Sequence, residues 1–345
     1  MQDADLIREI ETAARSSALL SPHEAVRFSR LSGGVSCDVF LLERDGGPAL
    51  VAKQTLPKLR VEAEWRAPVE RIEAEVAWLR LVEQLDARLV PRVMAEDRRR
   101  HLFFMEYLPS DRFPVWKHQL SEGSVDLGFA AKVGRHLARI HAHTANTPGI
   151  ASCFDNQPQF RALRLDPYLL TAAQRNPDVA RDLESLIRSV EDARIALMQG
   201  DISPKNILVG PDAPVFLDAE TACYGDPAFD LAFCLNHLLL KCVWRPRHIT
   251  AFIDAFGALA SAYSNGVTWE EWPALDVRAA KLLAGLLLAR VDGKSPVEYL
   301  TDPRDKAFVR ENATRLLKSP LQTTAEIALA WREAANRYFA DSGTR

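Results

Sequence analysis

"LMQGDISPKNILVG", residues 197–210, and "VFLDAET", residues 215–221, decide how this chain is read. The first runs from the apolar segment 195–198 through Gly200 and Asp201 into a short polar loop, then into the β-prone run Ile207, Leu208, Val209. An acid, Asp201, and an amide, Asn206, stand at the two ends of that loop. Two readings are open. The pair can be an Asx-type turn, in which short polar side chains bond their own backbone, or two side chains held in place for a reaction.

The spacing favours chemistry once the second stretch is added. Asp201 and Asn206 are separated by four residues, the D-x-x-x-x-N interval of a phosphotransferase catalytic loop. An acid there can accept a proton from an attacking hydroxyl. An amide oxygen can ligate Mg2+, a hard cation that prefers oxygen donors. Asp218 and Glu220 end a second short strand, 215–217. If loop and strand end are neighbours across a hairpin, Asp201, Asn206, Asp218 and Glu220 converge. Three acids in one place repel one another unless a cation such as Mg2+ joins them.

The rest of the chain reads as a soluble globular protein. It has 345 residues, 48% hydrophobic and 26% charged, enough for one large domain or two lobes with a substantial core. Lys and Arg number 43 against 46 Asp and Glu, a net charge of −3, which leaves no cationic excess for nucleic acid. Cys37, Cys153, Cys223, Cys234 and Cys242 are scattered and never spaced C-x-x-C, as expected of reduced thiols in a cytoplasmic protein. The longest apolar run, 282–289, is too short to span a membrane. Neither nucleic acid nor a membrane is expected as a partner; a second copy of the chain, forming a homodimer, stays open.

Helical periodicity at 4–20 gives way to short β-prone runs at 27–31, 38–43 and 49–54, separated by the turns "LSGGVS" and "RDGGP". A helix is expected at 69–85, where Ile72, Val76, Leu79 and Val82 share a face. Strands at 92–95 and 102–106 follow. After Pro109 the chain reads as helical at 125–145, 178–194, 227–243, 247–264, 268–291, 304–318 and 323–340, with the two short strands 207–209 and 215–217 between. A sheet-rich first third before a helical remainder predicts two lobes with a cleft between them.

Two further features fit that cleft. Gly33 and Gly34 let backbone N–H groups approach an anion closely, or simply form a hairpin turn. Lys53 interrupts the apolar strand "ALVAKQ"; it can lie on a solvent face or be aimed at phosphate oxygens by an acid of the next helix, Glu70, Glu73 or Glu75.

Together, "QGDISPKNILVG", "PVFLDAETACYGDPAFDLAF" and the stretch from "VAKQTLPKL" to "FFMEYL" resemble the aminoglycoside phosphotransferase and choline kinase superfamily, over roughly residues 27–300. The N-terminal half is most similar to 5-methylthioribose kinases. The resemblance implies an α+β, protein-kinase-like bilobal fold, with a nucleotide-binding lobe at 1–106 and a catalytic and substrate-binding helical lobe at 107–345. It implies ATP and Mg2+ as cofactors and transfer of the γ-phosphate to a hydroxyl of a sugar-like metabolite. An aminoglycoside or choline-type aminoalcohol is the alternative acceptor; a non-catalytic nucleotide-binding regulator is opposed by the presence of Asp201, Asn206 and Asp218. Carried onto this sequence, Asp201 is the catalytic acid/base and Lys53 holds the phosphates with Glu75 as its helix partner. Met105, Glu106 and Tyr107 form the hinge that meets adenine. Asn206 and Asp218 hold metal, Glu220 sits near a second metal, Asp230 braces the loop, and Arg290 contacts substrate.

The sequence departs from the superfamily in places. Gln199 stands where a histidine is usual, which leaves the bracing of the loop to be found. Lys205 is placed either to reach a phosphate or to be solvated. Of the paired arginines expected near 290, only Arg290 is present beside Ala289. His141 and His143, at i and i+2 on a helix, face different directions and do not suit one metal. Trp269 and Trp272 fit either a substrate wall or ordinary packing.

Overall fold

The computed structural model describes residues 2–31, 36–60, 65 and 67–341. An amphipathic helix α1 (Gln2–Ser16) leads into a five-stranded antiparallel sheet: β1 (Val26–Arg30), β2 (Cys37–Arg44), β3 (Leu50–Thr55), β4 (Val93–Asp97) and β5 (Leu102–Glu106), in the order β1-β2-β3-β5-β4. Helix α2 (Arg71–Leu85) lies between β3 and β4 in sequence. Alternation along β3 divides the two faces of the sheet. Leu50 and Ala52 join Phe40, Leu42, Leu102 and Phe104 in a cluster closed by Ile10, Ala13 and Ala14 of α1. Val51 and Lys53 point the other way, into a cleft they share with Glu75 and Leu79 of α2.

The remainder is mainly helical. In chain order it contains α3 (Trp116–Ser121), α4 (Leu127–Thr144), α5 (Pro148–Cys153), α6 (Gln157–Phe160), a π-helical stretch (Arg161–Leu170), α7 (Thr171–Arg175) and α8 (Ala180–Asp192). After these come β6 (Ala196–Met198), β7 (Ile207–Val209), β8 (Pro214–Phe216), β9 (Cys223–Gly225), α9 (Pro227–Trp244), α10 (Ile249–Ser264), α11 (Trp272–Asp292), α12 (Pro303–Leu317) and α13 (Thr324–Asp341). Helix α9 is apolar nearly all round because it is buried from Pro227 to Val243, in the middle of the helical part. Close approach of α4 and α10 depends on Gly134, where a Cβ would clash with the carbonyl oxygen of Leu259.

Most expected elements are present, with boundaries moved by local chemistry. The first helix ends at Ser16 rather than residue 20, and Ala18 adopts a φ of 56° just beyond it. Pro273, in the first turn of α11, starts that helix four residues later than the sequence pattern suggested. The region 148–175 carried no predicted element, yet it is helical. Pro148, Pro158 and Pro167 break its periodicity into short pieces, and Thr171 N–H reaches back to Asp166 O, the i to i+5 bond of a π-helix. The short strands β6 and β9 were not predicted either; they pair with each other, at Ala196 to Gly225, Leu197 to Tyr224 and Met198 to Cys223.

Candidate active site

The stretches 197–210 and 215–221 meet in the fold. β7 and β8 form an antiparallel hairpin with Ile207 opposite Phe216, and Leu217 N–H donates to Asn206 O at 2.9 Å. Asn206 and Asp218 therefore sit at the open end of one hairpin. Asp201 lies just before it, at the end of the segment led in by β6. Asn206 Nδ2 donates to Asp201 O at 3.1 Å, closing the loop on itself.

Bracing of this loop comes from beneath. Asp230, wholly buried in the first turn of α9, accepts Gln199 N–H at 2.7 Å and Gly200 N–H at 2.8 Å on its two carboxylate oxygens. His141 lies 3.3 Å from the same carboxylate and 2.8 Å from the Tyr263 hydroxyl. Gln199, the departure from the superfamily pattern, supplies lateral bracing: its Oε1 accepts Asp201 N–H at 2.6 Å, and its Nε2 donates to Leu217 O at 2.7 Å and Asp218 O at 3.1 Å. One amide side chain thus ties the acid's backbone to the strand end that carries Asp218. Gly200 has a φ of 83°, and a Cβ there would meet Thr221 Oγ1 at 2.6 Å, so the turn requires glycine.

Lys53 crosses from the sheet to the hairpin. Its Nζ lies 2.7 Å from Glu75 Oε1 and 2.6 Å from Asp218 Oδ1. Burial alone would depress its pKa, but Asp218 and Glu75 outweigh burial and hold it well above the usual lysine range. Burial raises the Glu75 carboxyl to about 7 against the pull of Lys53. Asp218, where burial is outweighed by Lys53 and Lys205, is lowered to about 2. Asp218 also has a φ of 64°, a left-handed conformation that few residues other than glycine, asparagine and aspartate adopt and that recurs at functional sites. These groups line a cleft of about 440 Å³ that also receives Met105, Glu106, Tyr107, Lys205 and Asn206. Gly33 and Gly34 lie outside the described residues.

The acids do not gather on one point. Among the described residues no three His, Cys, Asp or Glu side chains form a single metal-binding group. Each carboxylate has a cation of its own instead. Asp218 has Lys53, while Asp201 Oδ2 lies 3.1 Å from Arg164 Nη2 and 3.2 Å from Lys205 Nζ. Glu220 Oε2 accepts from Arg71 Nε at 2.8 Å and lies 3.7 Å from Cys37 Sγ. What remains for a hard cation is the carboxylate of Asp218 with the amide oxygen of Asn206, a set of oxygen donors that suits Mg2+.

Three participants gave little warning in the sequence. Arg71 stands one helical turn before Glu75 and so shares its buried face, a signal that the i, i+4 spacing carries. Arg164 and Tyr168 come from the π-helical stretch, which has no 3.6-residue pattern to reveal them. Arg290, on α11, is buried; its Nη1 donates to the Tyr168 hydroxyl at 3.1 Å and its guanidinium lies 5.3 Å from that ring's centre.

A family model described as the phosphotransferase enzyme family (APH) matches residues 27–275, a span that includes the Lys53 strand, the loop and the hairpin. The chain belongs to this phosphotransferase family. Methylthioribose kinase 1 of Oryza sativa subsp. japonica is 26% identical over 269 residues, covering 70% of this chain and 62% of that protein. The match thus spans less than two thirds of the relative's length. Among solved structures, a choline/ethanolamine kinase family protein from Mesorhizobium loti superposes with a TM-score of 0.56 at 15% identity, over 94% of this chain and 99% of that one. An amicoumacin kinase in complex with AMP-PNP, Ca2+ and Ami gives 0.56 at 14% identity, over 95% and 99%. These neighbours show a kinase-like fold, with a small antiparallel sheet and a larger helical remainder. No helix among the described residues is long and apolar enough to cross a membrane.

Proposed function

We propose that this chain is an ATP- and Mg2+-dependent small-molecule kinase that moves the γ-phosphoryl group of ATP to a hydroxyl of a sugar-like metabolite. One observation carries the reading: Lys53 is joined to Glu75 on α2 and to Asp218 at the hairpin end, within the cleft that Asn206 also lines. A strand lysine fixed by a helix acid is the arrangement that neutralises nucleotide phosphates. Family membership and the methylthioribose kinase relative support the sugar-like acceptor.

In this reading residues 1–106 bind nucleotide and residues 107–345 carry catalysis and the acceptor. The backbone of Met105, Glu106 and Tyr107 meets the adenine, and Lys53 meets the phosphate oxygens. Asn206 and Asp218 hold Mg2+, which when bound neutralises charge on the transferring group. Asp201 Oδ orients the acceptor hydroxyl and takes its proton, while Asp230 and Gln199 keep the loop in register. Glu220 serves Arg71 rather than a second metal. The five cysteines are all free and four are buried, which supports a reducing, cytoplasmic setting.

The test is ADP release with Mg2+ and ATP across sugars, sugar acids, sugar phosphates and amino alcohols. Asp201→Ala is expected to lower kcat by about 10²–10⁴-fold while ATP binding persists. Unchanged turnover in that variant overturns the mechanism.

A further inference from the structure

The carboxylates that could greet a cationic acceptor are engaged. Asp226, buried at the start of α9, is paired with Arg278 at 2.9 Å. Asp292 is paired with Arg310 at 2.6 Å and accepts from Asn176, and Glu298 is paired with Lys117. Asp201 is shared by Arg164 and Lys205. None of these four acids is left without a basic partner for an ammonium group to displace.

The cations show the opposite imbalance. Arg164, 6% exposed, touches Asp201 and lies 5.9 Å from the centre of the Tyr168 ring; Arg290, also 6% exposed, lies 5.3 Å from that same ring. Two guanidinium groups thus approach the Tyr168 ring, one of them directly on Asp201. Arg290 has no carboxylate within ion-pair distance among the described residues, and its Nε is buried without a hydrogen-bond partner. Arg290 and Lys205, with Lys241 and Lys117, also lie close enough to the buried His237 to add to the effect of burial in holding it well below the ordinary histidine range. A buried, unmatched guanidinium is costly unless an anion arrives to pair with it.

We infer that the acceptor is an anionic hydroxyl compound, whose carboxylate or phosphate oxyanion is met by Arg290, Arg164 and Lys205 while its hydroxyl lies on Asp201. The inference rests on the kinase reading only in placing the acceptor hydroxyl at Asp201. It narrows a sugar-like acceptor to a sugar acid or sugar phosphate and sets aside aminoglycosides and amino alcohols. Arginine suits either oxyanion, since its planar fork bonds carboxylate and phosphate alike.

Calorimetric titration of the protein saturated with AMP-PNP and Mg2+, so that the nucleotide phosphate site is filled, tests this with three probes: inorganic sulfate, acetate and ethanolamine. Saturable binding of sulfate or acetate is expected, the preferred probe telling phosphate from carboxylate recognition. Arg290→Gln should weaken that binding by about tenfold and Arg290→Lys by less, as for loss of one charge-assisted contact. Retained AMP-PNP affinity and helical circular dichroism show that the variants are folded. Binding of ethanolamine in place of the anions, absence of anion binding, or equal anion affinity in Arg290→Gln overturns the proposal. If AMP-PNP itself fails to bind, the kinase reading falls, and the same titration without nucleotide still decides the anion site.

Discussion

Two buried cations reach from the sheet side of the molecule to the hairpin end, and they behave differently. Lys53 joins Asp218, and Arg71 joins Glu220 two residues later. Arg71 is fully buried and satisfied: besides Glu220 it donates to the carbonyls of Ala67, Pro68, Ser36 and Leu56. Its side chain welds α2, β2, β3 and the segment after β8 at one point. Among the described residues Lys53 pairs with two carboxylates. One of them, Asp218, keeps 28% of its side chain exposed in the cleft. A saturated guanidinium fixes a structure, whereas an ammonium with an exposed partner can exchange that partner for a phosphate.

The largest effect should come from breaking the saturated pair. Arg71→Met leaves Glu220 buried without its cation and is expected to cost about 3–5 kcal/mol of stability. Glu220→Gln should cost less, since the amide still accepts from Arg71. The double change Arg71→Met with Glu220→Leu should regain most of the loss, because a matched apolar pair needs no desolvated charge. Chemical denaturation of the four proteins reads this directly; a double variant no more stable than Arg71→Met would mean that the carbonyl contacts, not the ion pair, carry the weld.

Lys53 should give the reverse pattern. Lys53→Met is expected to lower kcat/KM by about 10²–10³-fold, the scale of losing one preorganised electrostatic contact to the transferring group. Its stability cost should stay below that of Arg71→Met, because the Glu75 carboxyl, already raised to about 7 by burial, can take up a proton when its ammonium is gone. Pairing Lys53→Met with Glu75→Leu should restore stability without restoring turnover. Recovery of turnover in that pair would show that Lys53 acts on the fold and not on the phosphates.

The contrast between these cations also marks what could be read before the structure. Lys53, Asp201, Asn206 and Asp218 were legible because their spacing is set by short local units: one strand, one loop, one hairpin. The strands and the long helices were legible for the same reason, since their burial is periodic. Arg71 was visible only as a neighbour of Glu75, and its link to Glu220, 149 residues away, is made by the tertiary fold. Arg164 and Tyr168 were hidden because prolines and π-helical geometry erase the 3.6-residue pattern around them. The convergence of acids on a metal was expected from charge repulsion alone; the chain instead gives each acid a cation from a distant segment, which local sequence cannot announce.

Gln199 tests how far the loop depends on local bracing. Gln199→Ala removes three hydrogen bonds, to Asp201 N–H and to the carbonyls of Leu217 and Asp218. Stability should fall by about 1–3 kcal/mol and kcat by about tenfold, with KM for ATP little changed. Gln199→His, the residue usual in the superfamily, should recover part of kcat by donating across the same gap. A fall in KM affinity without a fall in kcat would place the bracing on the nucleotide and not on Asp201.

Lys241 is the control for both cations, because it is buried with no carboxylate in ion-pair distance among the described residues. Only 1% exposed, its ammonium rests 4.8 Å from the centre of the Trp244 ring and 4.6 Å from that of Tyr299. Burial acts on Lys53 and Lys241 alike, but with no acid in ion-pair distance the Lys241 pKa falls from 10.5 to about 7; Lys117 adds to the fall and the more distant Glu298 opposes it. Below pH 7 both folded and unfolded chains hold the proton, and the folded state bears the full cost of a buried charge. Between pH 7 and 10.5 the folded chain has released a proton that the unfolded chain keeps, so this residue's contribution to stability rises with pH. Lys241→Met should therefore raise Tm at pH 6 by about 2–4 °C, the aromatic contacts offsetting part of the charge cost in the parent. The advantage should shrink steadily toward pH 9, which thermal melts of the two proteins across that range would follow. A Tm difference that stays constant with pH would mean that Lys241 remains charged throughout, held by its two rings as firmly as Lys53 is held by its two acids.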